Sequence, residues 1–299
     1  MDTNANLNTG KGLDVSKFAA VNALEHAPGR SDRYTFIPTT RVIDILANQG
    51  WYPAKVQEKR ANKVENRGFQ THIIRFRQEK DLPVSTPYLY GYRRPAVVDS
   101  LIPEIVLKNA HDGTAAYELM AGIFRVVCTN GMIVADSMFA KHKIKHIGFQ
   151  DQNVIEAVYD VVKTTPAIMG RIGDFRAIEL DKPEQILMGQ AALMVKYGEE
   201  GGADVRKYDP EELIRPIRRE DRLEGTIRNS LWNVFQTLQE KTVEKGGRFA
   251  RDEYGRRRKA RAVASVSENV RINQGLWMLA EKMAELKGAA FKANLPAVV

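Results

Sequence analysis

The residues best suited to covalent chemistry cluster in one stretch, NAHDGTAAYELMAGIFRVVCTNGMIVAD, from Asn109 to Asp136. It holds the chain's only cysteine, Cys128, and a histidine beside an aspartate, His111-Asp112. A Cys–His pair could supply a thiolate nucleophile, but it also needs a third, orienting group, which spacing alone does not provide. Cys128 shares the parity of Phe124 and Val126, where a lone thiol is usually a small core hydrophobe. Asp112 stands in a turn, where its carboxylate can bond onto the backbone. The stretch is therefore expected to be a folding device and not an active site. His142 and His146 are four apart in KHKIKH and could share a metal on a helix, but no third ligand is evident and the flanking lysines oppose a cation. The chain has no Walker loop, GxGxxG, CxxC pair or clear carboxylate dyad. It is read as a non-enzyme with no cofactor and no metal.

The elements around these residues follow from periodicity. Asp112-Gly113 and Asn130-Gly131 are hairpin signals. PEIVLKNA alternates, with Ile105 and Leu107 on one face and Glu104, Val106 and Lys108 on the other. The apolar parity changes across Gly122, from Tyr117 and Leu119 to Phe124, Val126 and Cys128, so a β-bulge is expected there. FQTHIIRFRQE over 69–79 reads as another strand, and IPTTRVIDILANQGW as a short helix capped by Thr39 or Thr40. The second half has helical spacing through Val154, Ala157, Val158, Val161 and Val162. It recurs through Ile186, Leu187, Ala191 and Met194, then Ile227, Leu231, Val234 and Leu238, and last Leu276, Leu279, Ala280, Met283 and Leu286. The last helix opens on a possible capping box, Ser265 to Glu268. The prediction is an α+β fold: a bent antiparallel β-sheet meander in the N-terminal half, then a mainly helical C-terminal half. Residues 1–30 are expected to form a flexible arm, 31–150 a β-rich core domain, and 151–299 a helical region with a basic loop at 246–261.

The 299 residues carry a net charge of +8 and a pI near 9.4. One cysteine excludes a disulfide framework and fits a reducing compartment. The polar N-terminus does not read as a signal peptide. No apolar run approaches the roughly 18 residues of a membrane span. A cytoplasmic protein with no membrane contact is expected. The basic balance favours an anionic partner.

Three groups of residues could hold a nucleic acid. Tyr88, Tyr90 and Tyr92 would share one strand face beside Arg93 and Arg94, a row that could stack bases and hold phosphates. It could equally pack against a helix. Arg75, Arg77, Lys108 and Arg125 fall opposite the apolar set, so one sheet face could be cationic and track a phosphate backbone, or serve solubility alone. Arg256, Arg257, Arg258 and Lys259, near Arg248, Arg251 and Arg261, suit non-specific contact with DNA or RNA.

The runs IPTTRVIDILANQGWYP, THIIRFR, PEIVLKNAHDGTAAYELMAGIFRVVCTNGMIV and LWMLAEKM resemble the phage/plasmid-like protein family, in the same order from about Ile37 to Met283. That family has no established catalytic residues to carry over. Its occurrence on mobile elements implies work on nucleic acid or against host defence. The inferred architecture also looks like the single-strand annealing proteins of phages. The expectation is a protein of a phage or plasmid, in the cytoplasm of a bacterial host cell. It would bind single-stranded DNA and promote annealing or recombination as a homo-oligomer, with duplex DNA as a further partner through the basic loop. The alternative is an interaction protein that blocks a host restriction or defence enzyme. A hydrolase with scattered carboxylates is a third class, for which no constellation is found.

Overall fold

The computed structural model describes residues 12–29, 35–59, 61, 66–82, 101–115, 117–125, 130–134, 141–144, 151–199, 207–216 and 229–287. The fold is α+β, with a sheet in the N-terminal half and a mainly helical C-terminal half. The chain divides into two compact units, Met1–Ile133 with Ser137–Thr164, and Val134–Asp136 with Thr165–Val299.

In the first unit, helix α1 (Thr39–Asn48) leads into a six-stranded sheet. Its strands are β1 (Trp51–Glu58), β2 (His72–Gln78), β3 (Leu101–Asn109), β4 (Tyr117–Arg125), β5 (Asn130–Val134) and β6 (Lys141–Ile144). The order is β1-β2-β3-β4-β5, and β6 also pairs with β4. The pairings of β1 with β2, β2 with β3, β3 with β4 and β4 with β6 are antiparallel. Ile74, Phe76, Ile105, Leu107, Tyr117 and Leu119 share one face and are fully buried, as the alternation predicts. Val42, Ile43 and Leu46 of α1 are buried too.

The expected bulge at Gly122 is absent. The register runs unbroken from Leu101↔Arg125 to Lys108↔Glu118, with Gly122 opposite Glu104. The irregularity lies in β1, between Pro53 and Lys55. The apolar parity changes for another reason: Phe124 belongs to the opposite face, its ring centroid 3.6 Å from the Arg77 guanidinium carbon. An aromatic ring compensates a cation there. In this register Arg125 takes a backbone position of the Ile105–Ala121 parity, not that of Lys108.

Asp112 closes its turn as expected, its carboxylate accepting from the Thr114 amide at 3.0 Å and the Thr114 hydroxyl at 2.5 Å. Asn130 and Gly131 open β5. His142 lies in a strand, β6, so the helical spacing that would join it to a second ligand is not met; His146 lies outside the described residues. Residues 12–29, expected to be part of a flexible arm, pack instead on the sheet. Ala20 and Val21 are fully buried. The Leu13 amide donates to the Pro53 carbonyl, the Ala20 amide to Glu58, and the Ala27 amide to the His111 carbonyl.

Helix α2 (Asp151–Ala177) begins in the first unit and ends in the second. Val154, Ala157, Val158 and Val161 are buried as its periodicity predicts, while Val162 is exposed. In the second unit follow α3 (Lys182–Tyr197), α4 (Pro210–Ile214), α5 (Leu231–Gln239) and α6 (Val266–Leu286). The cap of α3 is a reciprocal box between Asp181 and Glu184, which satisfies two orphan amides. Its buried face is Met188, Gly189, Ala192 and Leu193, not the expected Ile186, Leu187, Ala191 and Met194. Small residues decide this packing. A Cβ on Gly189 would stand 3.1 Å from Ile214, and one on Gly275 of α6 would stand 2.6 Å from Val195. The helices meet where the glycines let them approach, and Leu187 and Met194 face water. Helix α5 is buried along its whole length and continues as a π-turn over Glu240–Glu244. Phe175, Trp232, Phe235 and Trp277 make the aromatic core, with ring centroids 5.3–5.9 Å apart. No described helix is long and apolar enough to cross a membrane.

Candidate nucleic-acid interface

The segment GGRFARDEYGRRRKAR, expected to be a loop, forms a β-hairpin of β7 (Gly247–Arg251) and β8 (Arg257–Ala260). Its base is set by Gly246, which has φ +68° and no room for a side chain, because a Cβ would fall on the Ala260 carbonyl oxygen. Phe249 anchors β7 at zero exposure. The other edge of β7 binds Lys207–Asp209, through Asp209 N–H to the Phe249 carbonyl and Arg251 N–H to the Lys207 carbonyl, both 2.7 Å.

The tip is held by one carboxylate. Asp252 Oδ1 accepts from the amides of Tyr254 at 3.0 Å and Arg256 at 2.8 Å. Gly255, at φ +75°, turns the chain and donates its amide to the Asp252 carbonyl. Tyr254 is 74% exposed, and the Arg256 guanidinium carbon lies 5.5 Å from its ring centroid.

Residues 246–261 hold seven Arg or Lys against Asp252 and Glu253. The structure separates them by role. Arg251 and Arg257 are directly opposed across the hairpin and both donate to Asp209 Oδ2, at 2.7 and 3.4 Å. Arg257 also meets Glu212 at 3.2 Å. These two brace the hairpin. Arg248, Arg256, Arg258, Lys259 and Arg261 are exposed, with Arg258 3.6 Å from Asp252. Below them the Lys196 ammonium donates to the carbonyls of Thr242 and Arg261, and burial pushes its pKa down to about 8.

The proposed cationic sheet face is corrected. Arg75 and Arg77 are buried, at 5% and 4% exposure, and both bind the carboxylate of buried Glu104 at 2.8 Å. Lys108 lies 3.4 Å from Glu118. Alternation gave these residues one face, but that face is covered and carries its own carboxylates, so it is not a solvated phosphate track. The side chain of Arg125, all of Tyr88, Tyr90, Tyr92, Arg93 and Arg94, and Cys128 lie outside what the structure describes.

His111 belongs to a fully buried polar cluster with Thr39, His72 and Asn109. Asn109 Oδ1 accepts from the Ala110 amide, so its Nδ2 is the atom that donates to the Thr39 hydroxyl at 3.1 Å. His72 Nδ1 faces the Gln70 carbonyl at 3.2 Å, which can only accept. Neutral His72 therefore carries its proton on Nδ1, and its Nε2 accepts from Thr39 at 2.9 Å. The last Thr39 lone pair then accepts from His111 Nε2 at 3.2 Å. One hydroxyl thus pins α1, β2, the end of β3 and the His111 turn. Burial pushes the His72 pKa down to about 4. No group of three His, Cys, Asp or Glu among the described residues could hold a metal.

Residues 28–277 match the Domain of unknown function (DUF932). The chain belongs to this family. It is similar to two proteins of Escherichia coli (strain K12), UPF0380 protein YfjQ and UPF0380 protein YafZ. Each is 30% identical over 254 residues, which is 85% of this chain and 84% of the relative. No solved structure matches the chain.

Proposed function

We propose that this DUF932 protein binds single-stranded DNA through the β7–β8 hairpin and promotes strand annealing or recombination as a homo-oligomer. In this reading it is a mobile-element protein acting in the cytoplasm of a bacterial host. The observation that carries the proposal is the hairpin itself: Arg248, Arg256, Arg258, Lys259 and Arg261 are exposed along its length and at its end, and Arg256 stands beside exposed Tyr254 at the braced tip. Exposed cations displace condensed counterions from phosphates, and that release drives sequence-independent binding. Copies side by side would multiply weak contacts along one strand. The resemblance of the sequence to phage and plasmid proteins supports the setting, and annealing is the activity that exposed cations and an oligomer would serve. No covalent step is required.

The test is binding to single strand, duplex and RNA across a salt series, for the parent and for a variant with Arg256, Arg258 and Lys259 changed to Ala. Arg257 stays, because it braces the hairpin. Tight, salt-sensitive single-strand binding is expected, with the salt slope of the variant reduced by about 2. Salt-insensitive binding, or none at low salt, sinks the proposal. That outcome favours a second reading, a protein that blocks a host restriction or defence enzyme. Exposed Leu187 and Met194 on α3 support that reading as an apolar contact surface.

A further inference from the structure

The hairpin cations account for attraction to any nucleic acid, since every strand carries phosphates. They do not distinguish a single strand from a duplex. Tyr254 can. Its ring is 74% exposed, although a tyrosine ring offers more contact area when covered. The backbone that presents it is fixed on both sides, because Asp252 holds the amides of Tyr254 and Arg256 at once, and the Arg251 guanidinium holds the Gly255 carbonyl at 3.2 Å. The ring is therefore carried on an ordered turn, and little order remains to be imposed when a ligand arrives. Arg256 flanks it at 5.5 Å, and exposed Arg258 and Lys259 lie further along β8. A flat apolar surface with the Arg256 cation beside it matches a base and its phosphate.

We propose that Tyr254 is a stacking residue for an unpaired nucleobase, and that this contact makes the hairpin prefer single strands. The inference rests on the proposed nucleic-acid binding of the hairpin. In a duplex the bases are already stacked on their neighbours and turn only their edges outward, so the ring finds no partner. In a single strand a base face is available, and stacking tolerates any sequence.

The experiment uses the full chain with a thymidine 20-mer and a duplex of equal length. It compares the parent with Tyr254→Ala, Tyr254→Phe and Tyr254→Trp after thermal melts establish that each is folded. Tyr254→Ala is expected to weaken single-strand binding about tenfold, with duplex affinity and the salt slope unchanged, while Tyr254→Phe binds as the parent. The native tryptophans Trp51, Trp232 and Trp277 are buried, so an added tryptophan at 254 reports locally, and its emission should be quenched by the single strand alone. If folded Tyr254→Ala binds the thymidine strand as tightly as the parent, or loses single strand and duplex alike, the stacking role is overturned while the cationic reading stands. If the parent binds neither probe at low salt, the reading and the inference fall together.

Discussion

Arg251 faces Arg257 across the β7–β8 hairpin as its direct backbone partner, and the two like charges are held by one carboxylate, Asp209. Like charges directly opposed on a ladder are destabilising. Asp209 reverses that sign, and as the N-cap of α4 it also accepts from the Glu212 amide.

Asp209→Asn separates these two roles. Asparagine caps a helix as well as aspartate does, so α4 should persist while the arginine clamp is lost. The expected cost is about 1–2 kcal/mol in urea denaturation. Amide exchange should speed up in β7 and β8 ahead of the rest of the second unit.

Glu104→Gln should be far more costly. Glu104 is the buried counter-charge shared by Arg75 and Arg77, and its removal leaves two guanidinium groups in the interior without it. Breaking a buried ion pair from one side costs about 3–5 kcal/mol. A variant that unfolds at the parent's urea midpoint would show that water reaches this face of the sheet.

Thr39→Val keeps the side-chain shape and deletes the hydroxyl. His72 Nε2 then loses its donor and His111 Nε2 its acceptor, at zero exposure. About 1–3 kcal/mol should be lost. The first unit's core should stay packed, as read by near-ultraviolet circular dichroism.

His72 sets a pH dependence whose sign follows from its direction of shift. Burial lowers its pKa from 6.5 to about 4. Between these values the unfolded chain holds a proton that the folded one does not. The contribution is complete above about pH 6.5, declines as pH falls through the window, and is gone below about 4, a change on the order of 3 kcal/mol. His72→Gln lacks this proton. The stability gap between parent and variant should therefore be widest at neutral pH and close toward pH 4, measured by denaturation at each pH.

The α+β order was legible because the strands alternate and the helices repeat every three or four residues. Alternation identifies the residues opposite the apolar face, but not whether that face meets water, so on sequence alone Arg75 and Arg77 have the pattern of surface cations. Glu104 had the right parity to pair with them, and only the register of β2 on β3 brings it there. Helix α3 is legible over its whole length, but its buried face is not, because Leu187 and Met194 outweigh Gly189 and Ala192 in the pattern, although close helix approach favours the small residues. The hairpin is not legible in the sequence, since β7 buries Phe249 and β8 Ala260, too few for a period of two to register. Its cations were visible as a run. Asp209, 42 residues before Arg251, had a local signal only as a helix cap before Pro210. Tyr254 is marked in the sequence only by the Asp-x-x-Gly turn around it, a weaker signal than the alternating tyrosine row at 88–92.

Gly246 and Gly255 restrict the two ends of the hairpin in different ways. Any other residue at 246 would drive a side chain into the Ala260 carbonyl oxygen, so the stem is locked where it leaves the helices. At the tip the restriction is one of backbone alone: Gly255, at φ +75°, favours glycine, but a Cβ there would meet nothing within 4 Å. Loop tips accept insertions more readily than the paired backbone beneath them. Exposed tip positions such as Glu253 and Arg256 can therefore change side chain without disturbing the stem. The surface chemistry of the tip can thus be retuned without the helical unit having to be rebuilt.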